Sequence, residues 1–174
     1  EKTEVRLLYD DKYIYVGVIC YDSDPAQILV TDSRRDSSLT DTDSIEVLFD
    51  TYHDQQNGFL FGTNPAGIQY DAQIRGEGQG GSGGGGGGGA AFGSAVRAQT
   101  GSGAGRNVNW DSTWDVKARI AEFGWAAEFR IALRSLRFGP PPQVWGMNFA
   151  RNIRRNREMS YWSPVARQYR IDRL

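Results

Sequence analysis

Aromatic rings and planar polar groups are the side chains of this sequence whose chemistry best suits ligand binding. The chain contains five Trp and eight Tyr residues. A flat ring packs against the apolar face of a pyranose, while carboxylate, amide and guanidinium groups bond to its hydroxyls. Three tryptophans lie at predicted strand ends or in turns, where rings are open to a ligand: Trp110, Trp114 and Trp162. They are candidate platforms for a sugar, and simple packing is the alternative.

Polar partners for such rings occur at several predicted strand and turn positions. Arg151, Glu46 and Asn64 carry planar groups suited to sugar hydroxyls, although pairing between neighbouring surface side chains explains them equally well. Trp125 and Trp145 fall inside strand patterns, which predicts that both belong to the core.

Carboxylates cluster near and within one predicted strand. Asp41, Asp43 and Asp50 could together hold calcium, which prefers a shell of oxygen ligands. The spacing of the twelve-residue calcium loop is absent, so a solvated acidic edge is the alternative. Asp22 and Asp24 carry the same ambiguity.

Four arginines fall close together near the end of the sequence: Arg151, Arg154, Arg155 and Arg157. They form either a solvated strand edge or a surface that docks on carboxylates or lipid phosphates. Residues 1–80 carry 15 acidic and 6 basic side chains, and residues 81–174 carry 6 and 14. The halves therefore either pair with each other or present a basic edge to an acidic partner. The total of -1 argues against nucleic-acid binding.

The sequence contains few residues whose types and spacing suggest catalysis. His53 is the only histidine and Cys20 the only cysteine, so neither a Ser-His-Asp set nor a zinc site can be argued. No pair of carboxylates stands out as a glycoside-cleaving pair. We predict a non-catalytic protein in which His53 is an exposed turn residue and Cys20 a buried thiol.

Alternating apolar and polar residues predict the elements that position these groups. Residues 43–75 contain three such runs joined by short turns, which indicates an antiparallel meander. Residues 5–20 predict a hairpin, residues 28–31 a short strand, and residues 114–153 three further strands. The pattern predicts an all-β fold of about nine or ten strands, an antiparallel β-sandwich of jelly-roll type. At 174 residues, the sequence fits a single domain spanning 1–174.

One segment departs from this pattern. Half of residues 76–105 are glycine, which leaves too little apolar surface to offset the entropy of ordering the chain. The composition predicts a flexible glycine-rich insertion in a hairpin loop. No run of 18 apolar residues occurs, so the sequence predicts no transmembrane segment.

Short motifs follow one another along nearly the whole chain outside the glycine-rich segment. They are Thr3-Glu4-Val5-Arg6, Ile14-Tyr15-Val16-Gly17-Val18, Asp43-Ser44-Ile45-Glu46-Val47, Phe61-Gly62-Thr63-Asn64-Pro65-Ala66-Gly67, Gly124-Trp125-Ala126-Ala127-Glu128, Trp145-Gly146-Met147-Asn148-Phe149 and Tyr161-Trp162-Ser163-Pro164-Val165. In order and spacing they resemble the family-9 carbohydrate-binding module. The closer likeness is to the version at the N-terminus of large bacterial outer-membrane-associated proteins.

The resemblance implies a β-sandwich that binds carbohydrate, can carry calcium and works in the bacterial periplasm or at the outer membrane. The family's usual opening, an Asp-Gly pair and a Trp-containing strand, is absent, so we expect the N-terminal strand to be missing. A second hypothesis follows from the free sheet edge that this loss would leave. In it the chain is a structural or accessory subunit that docks on a larger membrane-associated protein assembly.

Overall fold

The computed structural model describes residues 1–75 and 106–164, and this part of the chain forms ten strands and three short 3₁₀ helices. The strands are β1 (Thr3–Tyr9), β2 (Tyr13–Tyr21), β3 (Ser44–Asp50), β4 (Asn57–Thr63), β5 (Tyr70–Arg75), β6 (Arg106–Asn107), β7 (Trp114–Ala121), β8 (Gly124–Ala132), β9 (Gly146–Ile153) and β10 (Glu158–Tyr161). The 3₁₀ helices are Pro25–Gln27, Leu133–Ser135 and Arg154–Asn156. The predicted glycine-rich insertion at 76–105 lies outside the described residues.

The strands form two antiparallel sheets, and each sheet draws on both halves of the sequence. Sheet A has the order β1-β2-β8-β7, and sheet B has the order β10-β9-β3-β4-β5-β6. In sheet A, β2 pairs with β8; in sheet B, β3 pairs with β9. The predicted hairpin is β1-β2, and the predicted meander is β3-β4-β5.

Apolar side chains from the facing sides of the two sheets make one continuous core. Val16 and Phe129 of sheet A and Ile45 and Phe61 of sheet B are all fully buried in it. Burying a side chain of this size stabilises the fold by roughly 1.5–3 kcal/mol. The predicted antiparallel β-sandwich is confirmed, because the alternating residues meet between two stacked sheets.

The single thiol belongs to this core. Cys20 is fully buried on β2. Burial raises the pKa of its thiol to about 12, because a thiolate loses its hydration there. The thiol is therefore protonated at neutral pH, as the predicted role of a small apolar core residue requires.

The segment at 28–31 is not the short strand that its β-branched and apolar residues predict. The carboxylate of Asp43 accepts the backbone N–H of Leu29 at 2.9 Å, and the N–H of Asp43 donates to the Leu29 carbonyl at 2.8 Å. Asp43 thus bonds to Leu29 as a neighbouring strand would, and one of the two bonds comes from its side chain. The segment is therefore fixed in place without belonging to either sheet.

Ion pairs join the acidic first half of the sequence to the basic second half. Arg155 pairs with Asp22 and Glu1. Other pairs of this kind are Arg154 with Asp41, Arg106 with Glu46, and Arg151 with Asp22. Pairing between the halves therefore accounts for much of the charge asymmetry. No helix among the described residues has the length and apolar character needed to cross a lipid bilayer.

Candidate functional site

A row of residues crosses the outer face of sheet B at one register. Glu46 on β3 lies opposite Gly62 on β4 and Ala150 on β9. Tyr70 on β5 lies opposite Gly62, and Tyr161 on β10 lies opposite Ala150. We call these five residues the outer row. A tyrosine lies at each end, a carboxylate at the centre and a small residue on either side of the carboxylate.

A guanidinium completes the polar part of the outer row. Arg106 Nη1 lies 3.6 Å from Glu46 Oε1 and donates to the Tyr70 hydroxyl at 3.3 Å. The guanidinium carbon is 5.9 Å from the centre of the Tyr70 ring. The side chains of Glu46 and Arg106 are each 14% exposed, so the pair is largely but not completely screened from water.

The glycine of the outer row, Gly62, leaves space on the sheet that a side chain would fill. A Cβ at Gly62 would lie 3.5 Å from both Glu46 Cγ and Tyr70 Cδ1, and only 2.4 Å from Leu39 Cδ1. A side chain here would displace the tip of Leu39, whereas 3.5 Å from Glu46 and Tyr70 is ordinary van der Waals contact. The absence of a Cβ therefore lets the Leu39 side chain lie over Gly62, between Glu46 and Tyr70.

Two of the three predicted ring platforms pack inside the sandwich. Trp114 is 4% exposed and stacks on Phe129, with ring centroids 5.8 Å apart and an interplanar angle of 7°. Trp110 is half-buried against Phe59 and Phe61. Both lie near strand ends as predicted, but their rings face inward, because the aromatic core extends to that end of the sandwich. Trp114 in particular has no open ring face for a sugar.

The third predicted platform is exposed. Trp162 is 71% exposed, and its ring meets Phe149 edge-on at 5.9 Å. It lies at the mouth of a groove of about 530 Å³ between β1 of sheet A and β9-β10 of sheet B. Val5, Leu7 and Met147 are among the residues that line this groove. Trp162 lies on the side of sheet B opposite to the outer row, because Phe149 belongs to the inner core and Ala150 to the outer face.

Arg151 lies inside the fold and not on the predicted arginine surface. Its side chain is 4% exposed. The guanidinium donates to the carbonyls of Lys2 and Tyr21 at 2.9 and 2.8 Å and to the Thr3 hydroxyl at 3.2 Å. Arg151 thus ties β9 of sheet B to β1 and β2 of sheet A. Its N–H groups form this link between the sheets, and its predicted roles as a hydroxyl partner and a docking residue stay predictions.

Arg155 likewise serves an internal contact. Its guanidinium donates to both carboxylate oxygens of Asp22, at 2.6 and 2.7 Å. The backbone N–H of Asp24 adds a bond of 2.8 Å to Asp22 Oδ1. Burial alone would raise the pKa of Asp22, but the bonds from Arg155 and Asp24 outweigh it and hold the pKa below its usual value. Asp22 is therefore an ionised partner of arginine and not an open calcium ligand.

The remaining two arginines of the predicted docking cluster are closer to solvent. Arg154 is partly exposed and pairs with Asp41 at 3.1 Å. Arg157 is exposed at a turn, with a left-handed backbone. The four arginines thus divide into two that hold the fold together and two at its surface, so they do not form one surface.

Asn64 is fully buried in the turn after β4. Its side-chain amide donates to the Asp32 carbonyl at 2.7 Å and accepts the Ala66 N–H at 3.0 Å. This amide fixes the conformation of the turn, and the predicted contact of Asn64 with a sugar hydroxyl stays a prediction.

The three carboxylates predicted as calcium ligands do not converge. Asp43 accepts the N–H groups of Leu29 and Arg154, and Asp50 accepts those of Asp54 and Gln55 at the opposite end of β3. Asp41 is exposed beside Arg154. Among the described residues, no three His, Cys, Asp or Glu side chains lie where they could share a metal ion. Calcium binding by this chain stays a prediction without a shared site at these residues.

These features define a two-sheet β-sandwich with a largely buried polar cluster, Glu46, Arg106 and Tyr70, on the face of sheet B that points away from sheet A. Two solved structures with similar folds are carbohydrate-binding modules of family 9 from Caldicellulosiruptor kristjanssonii, one in complex with glucose and one with cellotriose. The TM-scores are 0.49 and 0.48, with 18% identity in each case. The matches cover 87% of this chain but only 59% and 57% of those chains. No protein-family model and no curated protein matches the sequence.

Proposed function

We propose that this chain is a non-catalytic carbohydrate-binding module and that the outer row of sheet B is its sugar site. In this proposal Glu46 accepts hydrogen bonds from sugar hydroxyls and Arg106 donates to them. Tyr70 supplies a ring that packs on the apolar face of the sugar. The proposal also places the protein outside the bacterial cytoplasm, in the periplasm or at the outer membrane, in line with the family that its motifs resemble.

The observation that carries this proposal is that the Arg106 guanidinium contacts both the Glu46 carboxylate and the Tyr70 hydroxyl. A carboxylate 3.6 Å from a guanidinium places a hydrogen-bond acceptor beside donors, and sugar hydroxyls can bond to both. An aromatic ring at the same point adds the apolar surface that a pyranose needs. Both charged groups come from strands, which hold them more rigidly than loops would.

Replacing Glu46 with glutamine is expected to weaken sugar binding at least about tenfold, because a charged acceptor becomes a neutral amide. Isothermal titration with a panel of mono- and oligosaccharides, including glucose and cellotriose, measures the change. Glu128→Gln is the matched control, since Glu128 is an exposed strand glutamate on the outer face of sheet A. We expect it to bind like the unaltered protein.

Two results would contradict the proposed site. One is a panel in which no sugar binds the unaltered protein. The other is sugar binding that survives Glu46→Gln but is lost in Trp162→Ala, because Trp162 lies in the groove on the other side of sheet B. That outcome would move the sugar site to the groove.

A structural or accessory role in a larger assembly is the second candidate function. The observation that favours it is the open groove beside β1, and not the arginine cluster, half of which holds the fold together. Purification from native membranes tests this role. A chain that elutes without any other protein at physiological salt would exclude it.

A further inference from the structure

Among residues 1–75 and 106–164, nothing pairs with one edge of the strand β1. Tyr21 donates to the Lys2 carbonyl, and Asp10 donates to the Tyr13 carbonyl. Because hydrogen-bonding direction alternates along an antiparallel strand, the even-numbered residues of β1 bond to β2. The N–H and C=O groups of Thr3, Val5 and Leu7 therefore point away from β2. Within the described part of the chain no strand pairs with them, since β1 ends sheet A.

The same three residues line the groove. Their side chains point toward sheet B, while β9 and Trp162 form the opposite wall. Leu7, Leu8 and Tyr9, at the end of β1, are all exposed. An extended strand laid along β1 would pair with its free backbone groups and place every second side chain into the groove.

The residues of β1 are complementary to themselves when two copies run in opposite directions. With Val5 opposite Val5 of a second copy, Thr3 lies opposite Leu7, and Glu4 lies opposite Arg6. This register joins odd-numbered residues as hydrogen-bonded pairs, as the free edge requires. Glu4 and Arg6 then form closely spaced pairs, in which opposite charges attract. A two-fold axis through Val5 makes each favourable pair occur twice.

We propose that β1 pairs with β1 of a second copy of this chain, joining the two four-stranded sheets into one of eight strands. The axis passes between the two Val5 residues. Each groove receives inward-facing side chains of the other copy, and Trp162 at its mouth packs against them. A large exposed aromatic ring is the kind of residue that anchors such interfaces.

The contact extends beyond the strand pair itself. Stable interfaces bury about 1,200–2,000 Å² in total, which is more than a single pair of short strands supplies. The groove walls, Trp162 and the exposed end of β1 contribute the remaining apolar area. Of the outer row, Tyr161 also lines the groove, whereas Glu46, Gly62 and Tyr70 do not, so the dimer can be tested independently of sugar binding at Glu46.

Charge reversal tests the register directly. Glu4→Arg places the introduced arginine opposite Arg6 of the other copy, and Arg6→Glu places the introduced glutamate opposite Glu4. Each single variant is expected to raise the dimer dissociation constant at least about tenfold, because two attractive pairs become repulsive. Sedimentation equilibrium over a wide concentration range measures the constant. Circular dichroism checks that each variant remains folded.

Two experiments that restore opposite charges across the interface distinguish this register from general repulsion between the surfaces. The double variant Glu4→Arg with Arg6→Glu is expected to dimerise like the unaltered chain. An equal mixture of the two single variants is expected to form heterodimers, since each then meets its opposite charge. Reversal of Lys117 on β7 to Glu, at the far edge of sheet A, is the control and leaves the constant unchanged.

A chain that sediments as a monomer at every concentration would overturn the proposal, as would single variants that dimerise normally. A dimer that neither the double variant nor the mixture restores would also overturn it, because its interface would lie elsewhere.

Discussion

Replacing Asp22 with alanine is expected to destabilise the protein by about 3–5 kcal/mol, the typical cost of removing one partner of a buried ion pair. The Asp22 side chain is 2% exposed, and both of its oxygens accept bonds from Arg155. Arg151 lies 4.0 Å away and links the two sheets. The substitution leaves the Arg151 guanidinium without its carboxylate and leaves Arg155 with Glu1 alone, at 3.4 Å. Urea unfolding followed by tryptophan fluorescence measures the loss.

Asp41→Ala is the matched control for this prediction. Asp41 also pairs with an arginine of the same region, Arg154, but its side chain is 66% exposed. Exposed ion pairs contribute little because water and salt screen them. An Asp22→Ala protein as stable as the Asp41→Ala protein would show that the Asp22–Arg155 pair does not hold the sheets together.

The Asp22 pair also predicts an acid dependence of stability. The pKa of Asp22 is lower in the folded protein than its ordinary value of 3.8. The unfolded chain therefore binds this proton first as the pH falls. The stability from Asp22 is fully present above about pH 3.8 and is lost as the pH falls through the lower folded value. In Asp22→Ala, unfolding midpoints measured below pH 4 should fall less steeply than in the unaltered protein.

Replacing Gly124 with alanine is expected to cost on the order of 3 kcal/mol or more, combining overpacking with backbone strain. Gly124 begins β8 with φ of +129°, a conformation that residues with a Cβ rarely adopt. An added Cβ would lie 2.1 Å from the Cys20 carbonyl oxygen and 2.8 Å from the Asp22 nitrogen. Both are backbone atoms of the neighbouring strand region, so they cannot rotate away. Thermal or urea unfolding measures the cost.

Gly139→Ala serves as the control for the Gly124 substitution. A Cβ at Gly139 meets nothing within 4 Å. We expect this variant to unfold close to the unaltered protein. If Gly124→Ala retained full stability, the close approach of Gly124 to the end of β2 would be incorrect.

Most of the fold could be predicted from the sequence because the alternation of apolar and polar residues reports which side of a sheet is buried. Ile45, Phe61 and Phe129 all face the core as that alternation indicates. The alternation carries no information about which strands become neighbours. The pairing of β2 with β8 and of β3 with β9 depends on contacts between distant parts of the sequence.

For the same reason, only part of the candidate site could be predicted from the sequence. Glu46 was predicted as a ligand-binding residue, but its partners Tyr70 and Arg106 were not. Tyr70 reaches Glu46 through the register of three strands, and Arg106 follows a long glycine-rich stretch without a motif of its own. The signal available in the sequence was the small residue Gly62, which marks a close approach on a strand.

The arginine cluster shows where local sequence misleads. Closely spaced arginines usually indicate a charged surface, because each one alone is costly to bury. Here the buried aspartate and main-chain carbonyls that receive Arg151 and Arg155 come from the first 22 residues of the chain. Only the folded arrangement brings these partners to the arginines, so the sequence could not distinguish an internal link from a docking surface.

The most direct test of the proposed sugar site is a nuclear magnetic resonance titration of the isotope-labelled chain with an oligosaccharide. We expect saturable shifts at the amides of Glu46, Gly62 and Tyr70, with the groove residues Val5 and Leu7 unaffected. Shifts confined to the groove, or none with any sugar, would contradict the assignment of carbohydrate binding to the outer face of sheet B.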